Sequence, residues 1–217
     1  MIGRIATRLT LTSVVLFLSA CMNDLAVQSN SQDYTDIPMT TSHASLLMES
    51  TWAVLFSGDD LSSFNEIGGA NWVLENGQVS ASEGDPGFLV THGRYTDFTL
   101  KATFTATSST NSGIFIRCED PDSVDANSCY EINIFDNNQN PDFKTGSILR
   151  VAAPLNDVLV GTDPATLMIS AIGDHIQVWV NDTLTADVHN SLHASGNIAL
   201  QFNSGYVSFS EILFRPE

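Results

Sequence analysis

A strict alternation of apolar and polar residues over positions 98–106 constrains the fold of this chain more than any other feature. The apolar set is Phe98, Leu100, Ala102, Phe104 and Ala106, and the polar set is Thr99, Lys101, Thr103 and Thr105. A period of two over nine residues places the two sets on opposite faces of an extended strand. The segment is therefore predicted to be a strand with one face in the core.

The same alternation recurs in five further segments, around residues 114–117, 131–134, 176–181, 198–203 and 207–214. In the last of them the phase slips near Ser210 and Glu211, as a β-bulge would produce. Turn-forming dipeptides such as Asn76-Gly77 and Ser204-Gly205 separate the segments, and no helical period persists. Short strands without helical crossovers predict an all-β domain, an antiparallel β-sandwich of the jelly-roll type, over residues 51–217.

The N-terminus has the form of an export signal. Arg4 and Arg8 precede an apolar stretch that ends at residue 20, too short to span a bilayer, and Cys21 follows it. The residues 18–21 resemble the lipobox of bacterial lipoproteins, so residues 1–20 are predicted to be a lipoprotein signal peptide and Cys21 the lipidated residue. An ordinary signal peptide is the alternative. Residues 21–50, rich in Asn, Ser and Thr, are predicted to be a flexible tether.

These features predict a bacterial cell-envelope protein, exported and held in the outer membrane through a lipid anchor only. The whole chain has a formal charge of −17, from 8 Lys and Arg against 25 Asp and Glu. Without residues 1–20, six cations remain and the charge becomes −19. So few cations cannot form a basic surface, which excludes nucleic acid as a partner.

Two cysteines remain if Cys21 carries lipid. Cys118 and Cys129 bracket a loop between two predicted strands, and in an oxidising compartment they are expected to form a disulfide. Two unpaired thiols are the alternative. The loop contains four carboxylates, so calcium binding is an open possibility, although their spacing does not match an EF-hand. The five histidines show no zinc-ligand spacing, and no cofactor is expected.

Eight short motifs occur in a characteristic order along the predicted domain. They begin at Trp52, Trp72, Tyr95, Asn111, Tyr130, Thr145, Val178 and Ser195, and include the sequences NSGIFIR at 111–117 and YEINIFD at 130–136. In this order they resemble the 3-keto-disaccharide hydrolase domain family. The resemblance implies a concanavalin A-like lectin/glucanase fold, with an oxidised disaccharide or another sugar as partner. It also implies cleavage of 3-keto-glycosides by base-assisted elimination followed by hydration.

The alternation predicts which side chains face such a ligand. If the isoleucines of these segments face the core, then Arg117, Glu131, Asn133, Gln201 and Asn203 project from the opposite face. We interpret Glu131 as the base, Arg117 as the support for the enolate oxygen and Asp136 as an orienting or acid group. The substrate-binding residues are predicted to be Asn111, Asn133, Trp179, Gln201 and Asn203. His193 could also act as an acid, but a solvated loop position is the simpler interpretation.

Structural roles remain open for several of these residues. Arg117 and Glu131 could form a cross-strand ion pair, and Trp179 could pack under a loop. The chain also departs from the family pattern at 163–166, 181–182 and 202–203, where polar groups are missing. These departures are consistent with the alternative of a non-catalytic carbohydrate-binding lipoprotein. A structural envelope lipoprotein without a sugar ligand is a third possibility.

Overall fold

The computed structural model describes residues 51–217, where thirteen strands account for nearly all regular structure. The strands are β1 (Ala53–Phe56), β2 (Phe64–Ala70), β3 (Val73–Glu75), β4 (Gln78–Ala81), β5 (Gly84–Thr91), β6 (Phe98–Ala106), β7 (Asn111–Cys118), β8 (Tyr130–Ile134), β9 (Ala165–Ile172), β10 (His175–Val180), β11 (Thr183–His189), β12 (Asn197–Ser204) and β13 (Val207–Pro216). A single turn of 3₁₀-helix at Pro141–Phe143 completes the regular structure of this part of the chain. The predicted all-β class is confirmed.

The strands form two antiparallel sheets. The larger has the order β11-β10-β9-β6-β13-β4-β3, with β1 paired to β13, and the smaller has the order β2-β5-β12-β7-β8. Their facing sides bury the apolar residues of the alternating segments, so the domain is the predicted β-sandwich. No helix within 51–217 is long and apolar enough to cross a membrane.

The core follows the alternation closely. On β6 the five predicted apolar residues are all buried, and the polar residues between them face the other side of the sheet. On β13 the pairing with β6 shifts between Phe209 and Glu211, which is the bulge expected near Ser210. The residue pattern therefore determines which face of each strand packs against the opposite sheet.

The outer face of the smaller sheet has a polar and an apolar half. In the polar half, Gln201 of β12 lies opposite Gly113 of β7, and Gly113 lies opposite Asn133 of β8. Neighbouring strands are about 4.8 Å apart, so these positions form one row across three strands. In the next row Phe115 lies opposite Glu131. The strand pairing thus brings distant polar residues of the sequence together on one surface.

Arg117 does not face this surface, and its predicted orientation is wrong. An extra residue in β7 shifts the pairing with β12 between Phe115 and Cys118, and Arg117 takes a left-handed φ of 53°. The side chain consequently turns towards the opposite sheet, where it is 1% exposed. It donates hydrogen bonds to the backbone oxygens of Thr96, Ala171, Gly173 and His193.

The charge of Arg117 is partnered by Asp97 rather than by Glu131, with 3.3 Å between Nη2 and Oδ1. The alternative of a cross-strand ion pair with Glu131 is therefore wrong as well. Burial lowers the pKa of Arg117, while Asp97 opposes that shift. Because its donors are used by carbonyl groups at the ends of both sheets, Arg117 joins the sheets at this end of the sandwich.

Cys118 and Cys129 are joined in a disulfide, with Cα atoms 4.3 Å apart. The acidic loop between them is closed by its own hydrogen bonds, since Asp125 Oδ1 accepts from the backbone N–H groups of Asn127 at 2.7 Å and Ser128 at 3.0 Å. Within 51–217 no three His, Cys, Asp or Glu side chains form a group that could hold a metal ion. Calcium binding by this loop stays a prediction.

Three of the sequence-based predictions lie outside the described residues. They are the signal peptide at 1–20, the lipidation of Cys21 and the tether at 21–50.

If Arg117 joins the two sheets, its replacement should destabilise the fold. Arg117→Met removes the donors to several carbonyl groups and the cation paired with Asp97, so we expect the free energy of unfolding to fall by about 3 kcal/mol or more. Denaturant titration measures this change. Lys101→Met is the control, because the half-buried Lys101 forms no side-chain hydrogen bond or salt bridge within 51–217, and it should cost less than about 1 kcal/mol. Wild-type stability in Arg117→Met would contradict the role given to Arg117.

Candidate functional site

A cavity of about 330 Å³ opens on the polar half of the outer face. Its lining residues are Asn111, Glu131, Asn133, Phe135, Asn138, Phe143, Leu149, Arg150, Gln201 and Asn203. Five of them were predicted as site residues from the sequence: Glu131, Asn133, Gln201 and Asn203 from the strand alternation, and Asn111 as a further substrate-binding residue. The structure therefore brings together most of the residues that were assigned to a sugar-facing surface.

A glycine, Gly113, provides the space between the side chains of Glu131 and Gln201. A Cβ atom at Gly113 would lie 3.5 Å from Cγ of Glu131 and 3.6 Å from Oε1 of Gln201. It would also lie 3.0 Å from the backbone oxygen of Ile132, which is tighter than an ordinary contact. Any larger residue at this position would fill the gap between Glu131 and Gln201.

The cavity contains buried acceptors without protein partners. Oε1 of Gln201 and Oδ1 of Asn133 are both buried and accept no hydrogen bond. The amide nitrogen of Asn133 donates to the backbone oxygen of Phe143, which fixes the orientation of that side chain. Buried acceptors are almost always paired in folded proteins, so two unpaired oxygens in one cavity are suited to donors supplied by a ligand.

A segment after β8 builds the wall of the cavity. Residues 146–149 run beside β8, where Gly146 N donates to Asn133 O at 2.9 Å and Leu149 N donates to Glu131 O at 2.9 Å. The chain then turns back, with Ala152 N bonded to Ile148 O at 2.9 Å. These bonds hold Arg150, at the tip of the turn, in the lining of the cavity that contains Glu131, near enough for its charge to act on that carboxyl group.

Arg150 is the cation of this site, and sequence reasoning missed it. Its backbone has a left-handed φ of 65°, a conformation that is rare for a residue other than glycine. Its guanidinium donates to Oδ1 of Asn127 in the disulfide-closed loop. Arg150 lies outside the alternating segments, and the only sequence signal for it is that residues 21–217 contain so few cations.

Glu131 is the one acidic residue that lines this cavity. It is 8% exposed, and burial raises its pKa to about 7, although the nearby charge of Arg150 acts in the opposite direction. Neither Arg150 nor another cation within 51–217 forms a salt bridge with it. At neutral pH a carboxyl group with such a pKa is populated in both its protonated and its ionised form, which suits proton transfer.

Asp136 does not line the cavity, contrary to the prediction of a catalytic partner for Glu131. It lies beyond the end of β8 and is 6% exposed. Its Oδ1 accepts from Thr145 Oγ1 at 2.6 Å, and its Oδ2 accepts from the backbone N–H groups of Val160 and Gly161 at 3.0 and 3.1 Å. These bonds anchor the loop before β9, so the structure gives Asp136 a role in holding that loop.

Trp179 and His193 are also placed differently from the sequence-based interpretation. Trp179 lies on β10 of the larger sheet, between the core residues Val178 and Val180. Its side chain therefore lies on the outer face of the larger sheet, whereas the cavity with Glu131 opens on the smaller sheet. His193 is 3% exposed rather than solvated, and its Nδ1 lies 3.0 Å from Glu119 Oε1. Neither residue lines the cavity that contains Glu131.

The fold and this cavity define a β-sandwich of the lectin and glycoside-hydrolase type. Residues 51–215 match the family model described as "3-keto-alpha-glucoside-1,2-lyase-like domain", and the chain belongs to this family of 3-keto-disaccharide hydrolase domains. None of the curated proteins compared with the chain matches its sequence.

Several solved structures share the fold. A presumed glycosyl hydrolase from Parabacteroides distasonis is 23% identical with a TM-score of 0.65, and the match covers 77% of this chain and 100% of that one. A second presumed glycosyl hydrolase from the same organism is 14% identical with a TM-score of 0.69, covering 82% and 98%. The carbohydrate binding module CBM66 from Bacillus subtilis is 17% identical with a TM-score of 0.56, covering 70% and 95%.

The raised pKa of Glu131 predicts a pH-dependent cost to stability. The folded-state pKa of about 7 exceeds the ordinary value of 4.5, so the folded state loses stability as pH rises from about 4.5 to 7. At pH 8, Glu131→Gln should therefore be more stable than the wild type by up to about 3 kcal/mol, and at pH 4 the two should be equal. Thermal and denaturant unfolding at both pH values measure the difference.

The exposed Glu75→Gln is the matched control and should show no such dependence on pH. Equal stability of wild type and Glu131→Gln at pH 8 would show that Glu131 carries no burial penalty.

Proposed function

We propose that this domain cleaves 3-keto-glycosides, with Glu131 as the proton-transferring group and Arg150 in the role first assigned to Arg117. The observation that carries the proposal is a cavity lined by amides in which one buried carboxylate lies beside one guanidinium. The description of the matching family as a 1,2-lyase-like domain supports an elimination across C1 and C2 of the sugar.

The first step is removal of a proton from C2. The ketone at C3 acidifies that proton, and the carboxylate of Glu131 takes it. The electron pair of the C2–H bond moves towards C3 and leaves an enolate, whose oxygen gains negative charge. The guanidinium of Arg150 stabilises that charge in a site where the amides replace bulk water.

The second step breaks the glycosidic bond. The enolate electrons form a double bond between C1 and C2, and the C1–O bond breaks with its electron pair on the leaving oxygen. The protonated Glu131 returns its proton to that oxygen, so the leaving group departs as an alcohol. Water then adds across the double bond, with its hydroxyl at C1 and a proton at C2, and the net result is hydrolysis.

The single carboxylate favours this route over direct hydrolysis. Ordinary glycosidases use two carboxyl groups that flank the scissile bond. Asp136, the nearest acidic residue after Glu131 in sequence, is engaged by Thr145 and by two backbone N–H groups instead. An elimination needs one base that can later act as the acid, and a carboxyl group with a pKa of about 7 can do both.

The unpaired amide oxygens alone would also suit a carbohydrate-binding module that performs no chemistry. Oε1 of Gln201 and Oδ1 of Asn133 can accept sugar hydroxyl groups in either case. The two functions differ in what they require of Glu131, because a binding module does not need an ionisable group there.

In the proposal, this domain acts in the bacterial cell envelope, exported and anchored through lipid on Cys21. The charged-then-apolar form of residues 1–20 and the cysteine that follows support this location. The charge of the remaining chain, −19, is consistent with a domain that does not adsorb to anionic lipid.

The test is cleavage of a 3-keto-disaccharide by the purified protein. We expect release of free sugar, with kcat/KM rising with pH to a plateau above about 7 because Glu131 must be ionised to accept the C2 proton. Glu131→Gln should lower kcat by about 100-fold or more. The exposed Glu75→Gln serves as the control and should leave kcat unchanged.

Sugar binding without release, by both the wild type and Glu131→Gln, would instead identify a binding module. Full activity in Glu131→Gln would contradict the role of Glu131.

A further inference from the structure

The guanidinium of Arg150 has one hydrogen-bond partner among residues 51–217. It donates to Oδ1 of Asn127, and no carboxylate in this part of the chain forms a salt bridge with it. Arg150 is exposed, so its backbone conformation alone does not determine where the end of its long side chain lies. The hydrogen bond to Asn127 is therefore the contact that selects a position for the charged group.

A second position is open to this side chain. Besides the cavity that contains Glu131, Arg150 lines an open cavity of about 250 Å³, whose lining includes the exposed Asp142. A flexible cation is attracted to a carboxylate on either side of it. Without a fixed partner, the guanidinium would be free to turn towards Asp142 and away from Glu131.

Asn127 is itself held in place by the loop to which it belongs. Its backbone N–H donates to Oδ1 of Asp125 at 2.7 Å, and the disulfide closes the loop. Val124 of the same loop packs against a buried apolar cluster on the smaller sheet, which consists of Val90, Phe115, Cys118, Cys129 and Ala199. These contacts do not involve Arg150, so the loop offers Asn127 as a preorganised acceptor.

We propose that Asn127 is a positioning residue, through which the disulfide-closed loop holds the guanidinium of Arg150 in the cavity that contains Glu131. Asn127 does not line that cavity, so it acts through Arg150 and not on the substrate. The catalytic part of this inference rests on the proposed function, in which Arg150 stabilises the enolate oxygen. The electrostatic part concerns the free protein and does not rest on it.

The carboxyl group of Glu131 reports where the guanidinium lies. The charge of Arg150 opposes the rise in the pKa of Glu131 that burial causes. Phe115, which lies opposite Glu131 on β7, is uncharged, and Arg150 is the one cation among the residues that line this cavity. If the guanidinium moves away, the pKa of Glu131 should therefore rise above about 7.

The test is an NMR titration of the side-chain carboxyl carbon of Glu131 in the wild type, Asn127→Ala, Arg150→Met and the double variant. We expect Arg150→Met to raise the midpoint by about 0.5 to 1 pH unit, and Asn127→Ala to raise it by a large part of that amount. Because Asn127 acts through Arg150, Asn127→Ala should cause no further change in the double variant.

Ser123→Ala is the matched control. Ser123 is exposed in the same loop, and its hydroxyl group forms no hydrogen bond within 51–217. This variant should therefore leave the midpoint of Glu131 at the wild-type value. Asn127 is also exposed, so its replacement by alanine should leave the domain folded.

Cleavage of a 3-keto-disaccharide gives a second readout. The enolate charge appears only after the C2 proton has left, so a misplaced Arg150 should lower kcat more than it raises KM. We expect Asn127→Ala to lower kcat by on the order of 10-fold and to have no further effect in the Arg150→Met background.

Two results of the titration would overturn the inference: a wild-type midpoint for Glu131 in Asn127→Ala, or a shift of equal size with and without Arg150. Wild-type kcat in Asn127→Ala would overturn its catalytic part. If the midpoints shift as expected but none of the proteins cleaves the 3-keto-disaccharide, the positioning of Arg150 stands and the proposed function is overturned.

Discussion

The antiparallel pairing of β7 with β8 and β12 is the constraint on which both the core and the site depend. Because side chains alternate across a strand, each of these strands supplies an isoleucine or leucine to the core and a polar residue to the outer face. A slip by one residue would bury Glu131 in the core and expose Ile132. The packing of the two sheets therefore also fixes the position of the candidate base.

Glu131 on β8 and Asp136 just beyond its end have different roles because their surroundings differ. Asp136 is buried and accepts three hydrogen bonds, which suits a side chain that holds a loop in place. Glu131 is buried beside Arg150 without a salt bridge, and its pKa rises to about 7. The fold thus keeps a carboxyl group in an environment that costs stability, a pattern that is common where a group is used for chemistry.

Much of the fold and part of the site could be predicted from the sequence, and the failures have physical causes. Alternation placed Glu131 and Gln201 correctly, because strand period is a local property. It failed at Arg117, where one extra residue in β7 turns the side chain towards the other sheet. Arg150 could not be found in this way, since it is brought to the site by the backbone hydrogen bonds of an irregular segment with β8.

The central claim is that one buried carboxyl group, Glu131, exchanges protons near neutral pH. The most direct test is a carbon-13 NMR titration of the protein labelled at the side-chain carboxyl carbons of glutamate, with Glu131→Gln used to assign the resonance. We expect a midpoint near pH 7 for Glu131. A midpoint near the ordinary value of 4.5 would show that the site does not desolvate this carboxyl group, and would contradict the account.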